Sequence, residues 1–244
     1  MTEVFNRERY FDRQTWLYGR NKPVRFGGSD APSICDESPW RSAAELYDEK
    51  VGLKPVKDLS GNKNVEYGIK VEPLLRENFL LDNPFFSLEY CPYDILVSKE
   101  RPYMTATLDG ELTVIDEENP WGLPVGSRGV LECKTGSFRR ESDLDEWLDG
   151  VPQHYYIQCL HQLSVTGWDF VIVPARLHRD PYKDSDNGFP DIRCFYRMID
   201  RRAARTKEDI GELEVIEKKF YESCLNRKRP PVRLEFGGYP KNGR

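Results

Sequence analysis

Apolar and polar positions switch between a helical and a two-residue period several times along this chain, dividing it into alternating helical and extended blocks. The segment before Arg25 reads as a short polar helix. Gly27-Gly28-Ser29-Asp30 then forms a turn, with Ser29 placed to cap the helix that follows. Ser42 and Glu45 have capping-box spacing and open a helix through Ala43, Leu46 and Tyr47 that Gly52 stops. From Val65 to Leu81 an amphipathic helix puts Gly68 and Glu72 on one face, while Leu75, Phe79 and Leu80 support burial. Pro73 kinks that helix or marks its true start.

The middle of the chain turns strand-like at Phe85 to Val97, Tyr103 to Thr107, Leu112 to Ile115 and Gly129 to Lys134, with turn material from Asp116 to Gly126, which reads as a meander. A helix from Gln153 to Thr166 follows, in which Tyr155, Gln158 and Gln162 recur on one face. Strands at Phe170 to Pro174 and Ile192 to Ile199 and a long charged helix from Arg201 to Leu225 complete the pattern. The stretch from about 227 to 244, with Pro230, Pro231, Gly237, Gly238 and Pro240, reads as a loose tail. With 244 residues and no linker-like segment, the expectation is a single α/β or α+β domain.

Chemistry concentrates on that pattern at Asp109 and at Glu132-Cys133-Lys134. Side chains two apart on a strand share a face, so Glu132 and Lys134 project together while Cys133 turns away. Val130 and Leu131 make the strand apolar, and charges on a buried strand are costly unless they are paired or hold a metal. Two carboxylates beside an amine suit Mg²⁺, which takes oxygen ligands and leaves positions for water and for phosphate oxygens. Such a site polarises a phosphodiester and activates water, with Lys134 positioning that water or stabilising developing charge. A solvated strand edge is the competing reading of the same pair, since the chain holds 41 acidic residues.

Composition narrows the setting. A net charge of −5 runs against the basic balance usual for nucleic-acid binders, although Arg201, Arg202, Arg205 and Lys207, and Arg227, Lys228, Arg229 and Arg233, form local basic segments. The six cysteines show no CxxC or Cys/His grouping, which argues against a zinc or iron–sulfur site. No apolar run approaches membrane-spanning length and the first ten residues are charged, so a cytoplasmic protein with no membrane association is expected.

Five segments in order, Gly27-Gly28-Ser29-Asp30-Ala31, Tyr67-Gly68-Ile69-Lys70-Val71-Glu72-Pro73, Thr105-Ala106-Thr107-Leu108-Asp109-Gly110, Leu131-Glu132-Cys133-Lys134-Thr135 and Val151-Pro152-Gln153-His154-Tyr155-Tyr156-Ile157-Gln158, resemble the YqaJ-like viral recombinase family. That family is similar to the lambda-type phage exonucleases of the PD-(D/E)XK nuclease superfamily, and the likeness covers about residues 20 to 176. The resemblance implies a restriction-endonuclease-like core, a central mixed β-sheet flanked by helices. It implies Glu72, Asp109 and Glu132 as metal ligands, with the Cys133 carbonyl as a further one, Lys134 as catalytic lysine and Gln158 extending the motif. Ser29 matches the serine near the 5′-phosphate pocket and Tyr155 an active-site tyrosine; Arg20, Lys22 and Arg25 are open alternatives for the phosphate-binding arginine.

The activity implied is Mg²⁺-dependent (or Mn²⁺-supported) 5′-to-3′ degradation of double-stranded DNA from a free 5′ end. A ring-shaped homotrimer and a single-strand annealing protein are the implied partners. Alternatives with the same metal chemistry are an endonuclease or a CRISPR-adaptation nuclease; one from another class is a non-catalytic DNA-binding protein on a nuclease scaffold.

Overall fold

The computed structural model describes residues 3–180, 188 and 190–231. A short strand β1 (Phe5–Arg9) and helix α1 (Arg13–Arg20) lead into α2 (Ala31–Ile34), α3 (Ala43–Lys50) and the long α4 (Lys63–Asp82). Strands β2 (Phe86–Glu89), β3 (Asp94–Ser98), β4 (Thr105–Ala106), β5 (Gly110–Val114), β6 (Arg128–Leu131) and β7 (Lys134–Phe138) follow. Then come α5 (Asp145–Asp149), α6 (Gln153–Thr166), β8 (Phe170–Arg179), β9 (Ile192–Asp200) and α7 (Ala204–Leu225).

The main sheet is mixed. β2 pairs with β5 and β5 with β6 antiparallel, whereas β6 and β7 both lie parallel to β8, which β9 pairs antiparallel on its other edge. β6 and β7 keep one offset against β8, Leu131 opposite Ile172 and Lys134 opposite Ala175, and are therefore halves of one strand interrupted at Glu132 and Cys133. A smaller sheet, β1-β3-β4, packs beside it.

Both faces of the main sheet are covered, as a parallel strand such as β8 requires. Val130, Val171 and Val173 point into a core shared with Leu160 and Leu163 of α6 and Ile210 and Leu213 of α7. Their neighbours Leu131, Phe170 and Ile172 point the other way, onto Phe79 of α4 and Phe86. The two-residue alternation of the strands thus sorts two hydrophobic cores to opposite sides. At Gly129 a β-carbon would stand 2.2 Å from the Phe170 ring, so only glycine fits between these strands.

Several expectations are corrected. The segment before Arg25 carries a strand ahead of its helix, and β1 escapes notice because only Phe5 of its five residues is buried. Phe85 to Val97 is two strands in different sheets rather than one, and β3 and β4 leave the presumed meander, β3 pairing with β1 and β4 with β3. Ser29 does not cap α2; Asp30 occupies that position, with its carboxylate turned to Gly27 N, Arg41 and Lys50 instead. α4 runs unbroken through Pro73. The capping box of Ser42 and Glu45 is present. Of the tail, residues up to 231 are described; Arg233, Gly237, Gly238 and Pro240 lie outside the described residues.

Candidate nuclease site

The break between β6 and β7 has a cause on the neighbouring strand. Glu132 N donates to the Ile172 carbonyl at 3.0 Å, as a parallel ladder demands. The next bond in that ladder would run to the Glu132 carbonyl from residue 174, which is a proline and has no N–H. The ladder stops at the acidic residue and resumes at Lys134.

Glu132 is buried, and its two carboxylate oxygens are held by three donors. Lys134 Nζ donates to Oε1 at 2.7 Å, Gln158 Nε2 to the same oxygen at 2.5 Å, and Gln162 Nε2 to Oε2 at 2.6 Å. Lys134 also donates to Gln158 Oε1 at 2.9 Å and sits over the Tyr155 ring, 4.6 Å from its centroid. Glu132 and Lys134 thus share a face, as the two-residue period requires, and α6 supplies Tyr155, Gln158 and Gln162 at helical spacing to meet them. Burial opposes the charge on Lys134, but Glu132 and Asp109 outweigh it and hold the amine's pKa above its ordinary value.

Cys133 faces the opposite side and packs among Phe79, Leu112 and Leu131. Its amide donates to Asp109 Oδ2 at 2.8 Å, which ties the loop before β5 to the strand break. Burial, then the charges of Glu132 and Glu72, push the Asp109 carboxyl well above the usual carboxylate range. Glu72 arrives from α4, on the other side of the sheet from α6. Its Oε1 is hydrogen-bonded by Arg76, which also donates to the Asp109 carbonyl at 3.3 Å and stacks on Tyr90 at 3.7 Å. Gly68, one turn earlier on α4, lets the helix approach β7: a β-carbon there would meet Thr135 Oγ1 at 3.2 Å.

Among the described residues no three His, Cys, Asp or Glu side chains gather as a ready metal-binding cluster. Glu72 is engaged by Arg76, and Glu132 by Lys134 and two amides. The donor chemistry nevertheless fits a hard divalent cation: Glu132 and Glu72 are near enough to Asp109 to oppose its ionisation, after burial, and all three offer oxygen donors.

The basic candidates separate. Arg20 Nη2 donates to Ser29 Oγ at 3.2 Å, and Ser29 is exposed. Lys22 and Arg25 are instead bound to Glu8, at 3.3 Å and 2.8 Å. The Ser29 turn lies on α6, where a β-carbon on Gly28 would meet Gln158 Cγ at 3.2 Å. Of the other basic segments, Arg202 pairs with Asp200 and Arg229 with Asp48.

Sequence reasoning missed Arg76, although it stands four residues after Glu72, where an ion pair on one helix face is expected. It missed the ligation of Glu132 by Gln162, for which the helical stripe with Gln158 was the available signal. Glu8 carried no signal, since its partners are fixed only by the pairing of β1.

The model of the YqaJ-like viral recombinase domain matches residues 15–169, a span that holds Glu72, Asp109, Glu132, Lys134 and Gln158. The chain belongs to that family. Uncharacterized protein YqaJ of Bacillus subtilis strain 168 is 28% identical to it over 169 residues, 69% of this chain. The chain spans about half the length of that relative, the match covering 47% of it. Among solved structures, LHK-Exo in complex with dAMP superposes with a TM-score of 0.60 at 16% identity, covering 88% of this chain and 94% of that one. LHK-Exo is an alkaline exonuclease from Laribacter hongkongensis. A phage-related exonuclease from Haemophilus somnus 129PT has a TM-score of 0.50 at 15% identity, covering 83% of this chain and 96% of that one. These likenesses establish the fold, a PD-(D/E)XK-like mixed sheet between helices. Among the described residues no helix of this family member is long and apolar enough to cross a membrane.

Proposed function

We propose that this chain is a Mg²⁺-dependent nuclease that degrades linear double-stranded DNA in the 5′-to-3′ direction, leaving single-stranded tails for phage-type homologous recombination. The observation that carries the reading is one juxtaposition: Lys134 bonded to buried Glu132, beside Asp109, whose carboxyl is raised by burial and then by its acidic neighbours. A buried site with this much negative charge and a single amine is suited to a divalent cation and a phosphate together.

Glu72, Asp109 and Glu132, with the Cys133 carbonyl, would hold Mg²⁺, and Mn²⁺ has the same preference for oxygen donors. Mg²⁺ supplies Lewis acidity toward the scissile phosphate and lowers the pKa of water. Gln158 and Gln162 orient Glu132 by donating to both its oxygens, so the carboxylate does not rotate. Lys134, being protonated, is a donor to the phosphate or the attacking water and stabilises negative charge as it develops, not a base. Tyr155 shields the ammonium on one side, and burial keeps its phenol neutral by raising its pKa. Arg20 with Ser29 binds the 5′-phosphate, because among the described residues this arginine has no acidic partner, whereas Glu8 holds Lys22 and Arg25. A fold neighbour solved with dAMP supports a nucleotide site on this architecture. Double-stranded DNA with a free 5′ end is the substrate proposed; a homotrimer and a single-strand annealing protein are its proposed partners.

The test uses duplex labelled at either end, linear or covalently closed, with Mg²⁺ or with EDTA. Release of label from 5′ ends of linear duplex only, and only with Mg²⁺, is expected. Cutting of closed circles would identify an endonuclease, and absence of any metal-dependent product would leave a DNA-binding scaffold.

A further inference from the structure

Trp40 is 69% exposed, yet it is held in place. Its ring meets His154 edge-on, centroids 5.1 Å apart, and tilts against Tyr155 at 6.3 Å. His154 lies 4.0 Å from Tyr155, whose ring carries the Lys134 ammonium on it. An aromatic shelf therefore runs from solvent, at Trp40, to the amine of the candidate site. Burial, then the charge of Lys134, lowers His154 to about 4, so the shelf is uncharged near neutrality.

The backbone beneath Trp40 is fastened to the same turn that carries Ser29. Arg41, the next residue, donates to Asp30 Oδ1 at 2.6 Å, to Glu49 at 2.6 Å and to Ser33 Oγ at 3.3 Å. Asp30 in turn accepts from Gly27 N at 3.0 Å and from Lys50 at 2.8 Å. Burial resists the charge on Asp30, but Lys50 and Arg41 hold its carboxyl below the usual range, so the network stays ionised. One buried carboxylate thus joins the residue next to the exposed tryptophan to the turn that carries the exposed serine. A large ring exposed to water and prevented from relaxing onto the surface is prepared for a flat partner.

We propose that Trp40 is a stacking residue for a nucleobase at the 5′ end of the strand being degraded. This rests on the nuclease reading and deepens it. The occupant follows from position: Arg41, next to Trp40, is bonded to Asp30, next to Ser29, which accepts from Arg20, and Lys134 ends the shelf, so a chain with phosphates and aromatic bases matches both its polar and its apolar parts. Base–aromatic stacking tolerates any base, since each has a π-face.

The experiment places 2-aminopurine at the 5′-terminal position or ten bases inward in duplex DNA and binds it to the full chain in EDTA, where no cleavage occurs. Wild-type protein should quench the terminal probe and not the internal one. Trp40→Phe should keep the quenching, and Trp40→Ala should lose it while its melting temperature stays near wild type. With Mg²⁺, Trp40→Ala should raise KM for linear duplex roughly 5- to 100-fold, the range of one lost base–aromatic stack, with a smaller change in kcat. Equal quenching by wild type and Trp40→Ala, or an unchanged KM, overturns the inference. The two readings fail separately: quenching that depends on Trp40 without metal-dependent cleavage supports the shelf and defeats the nuclease, and cleavage with Trp40-independent quenching does the reverse.

Discussion

Pro174 of β8 stands where the parallel ladder would deliver an N–H to the carbonyl of Glu132, and the strand is broken at that residue. A proline in the centre of a sheet is rare because it removes a ladder bond. Here the missing bond coincides with the acidic residue of the candidate site.

Pro174→Ala should restore the donor. The new hydrogen bond, about 0.5–1.5 kcal/mol, is opposed by about 0.4–1 kcal/mol of added chain entropy in the unfolded state. Little net change in melting temperature is expected, together with protection of the residue 174 amide from hydrogen exchange. Cleavage should fall several-fold, roughly 1 kcal/mol, because Glu132 is drawn into regular strand geometry. A fully active variant with a protected amide would dissociate the break from function.

Asp109 links metal affinity to pH. Its folded pKa is raised, so without metal the protonated form is favoured, and the stability tied to it is full below the unfolded value and lost as pH rises through the folded one. A divalent cation must displace that proton. Mg²⁺ affinity, measured by calorimetry, should therefore rise with pH until Asp109 ionises freely, with proton release seen as a dependence on buffer ionisation heat. Asp109→Asn should abolish cleavage and stabilise the metal-free protein against rising pH. Affinity that is flat with pH would contradict the assignment.

Arg20, Lys22 and Arg25 should respond differently to substitution. Arg20→Ala should raise KM for 5′-phosphorylated duplex about tenfold or more, as loss of a charge-assisted contact does, and leave 5′-hydroxyl duplex less affected. Arg25→Ala should instead lower the melting temperature, because Glu8 loses its bidentate partner. Kinetics on the two substrates and a melting curve separate the outcomes; an Arg20 variant indifferent to the 5′-phosphate would remove it as anchor.

His161 and Glu217 form a fully buried pair joining α6 to α7, with Nδ1 2.7 Å from Glu217 and Nε2 2.8 Å from the Thr105 carbonyl. Both ring nitrogens face acceptors. Burial works against the imidazolium, but Glu217 and the Thr105 carbonyl raise its pKa overall. The stabilisation is complete below the unfolded value, about 6.5, and is lost as pH rises through the folded one. His161→Leu should cost about 3–5 kcal/mol by stranding a buried carboxylate, and adding Glu217→Leu should recover part of it. Denaturant melts of the single and double variants test this; a double variant worse than the sum of the singles would refute it.

Local periodicity determined much of this molecule from the sequence alone. The helices at Lys63–Asp82, Gln153–Thr166 and Ala204–Leu225, the capping box at Ser42 and the shared face of Glu132 and Lys134 all depend on residues within a few positions of one another. The spacing of side chains along a helix or strand is set by the backbone itself, so a single stretch suffices to read it. Tertiary structure decided the rest, since partners remote in sequence made the difference. Pro174 breaks the strand at Glu132, Glu8 occupies Lys22 and Arg25 and leaves Arg20 to Ser29, and Arg76 stands between Glu72 and Asp109. Ladder donors and ion-pair partners are allotted by which segments pack together, and hydrogen bonds and charges act only at short range once the chain has brought them there.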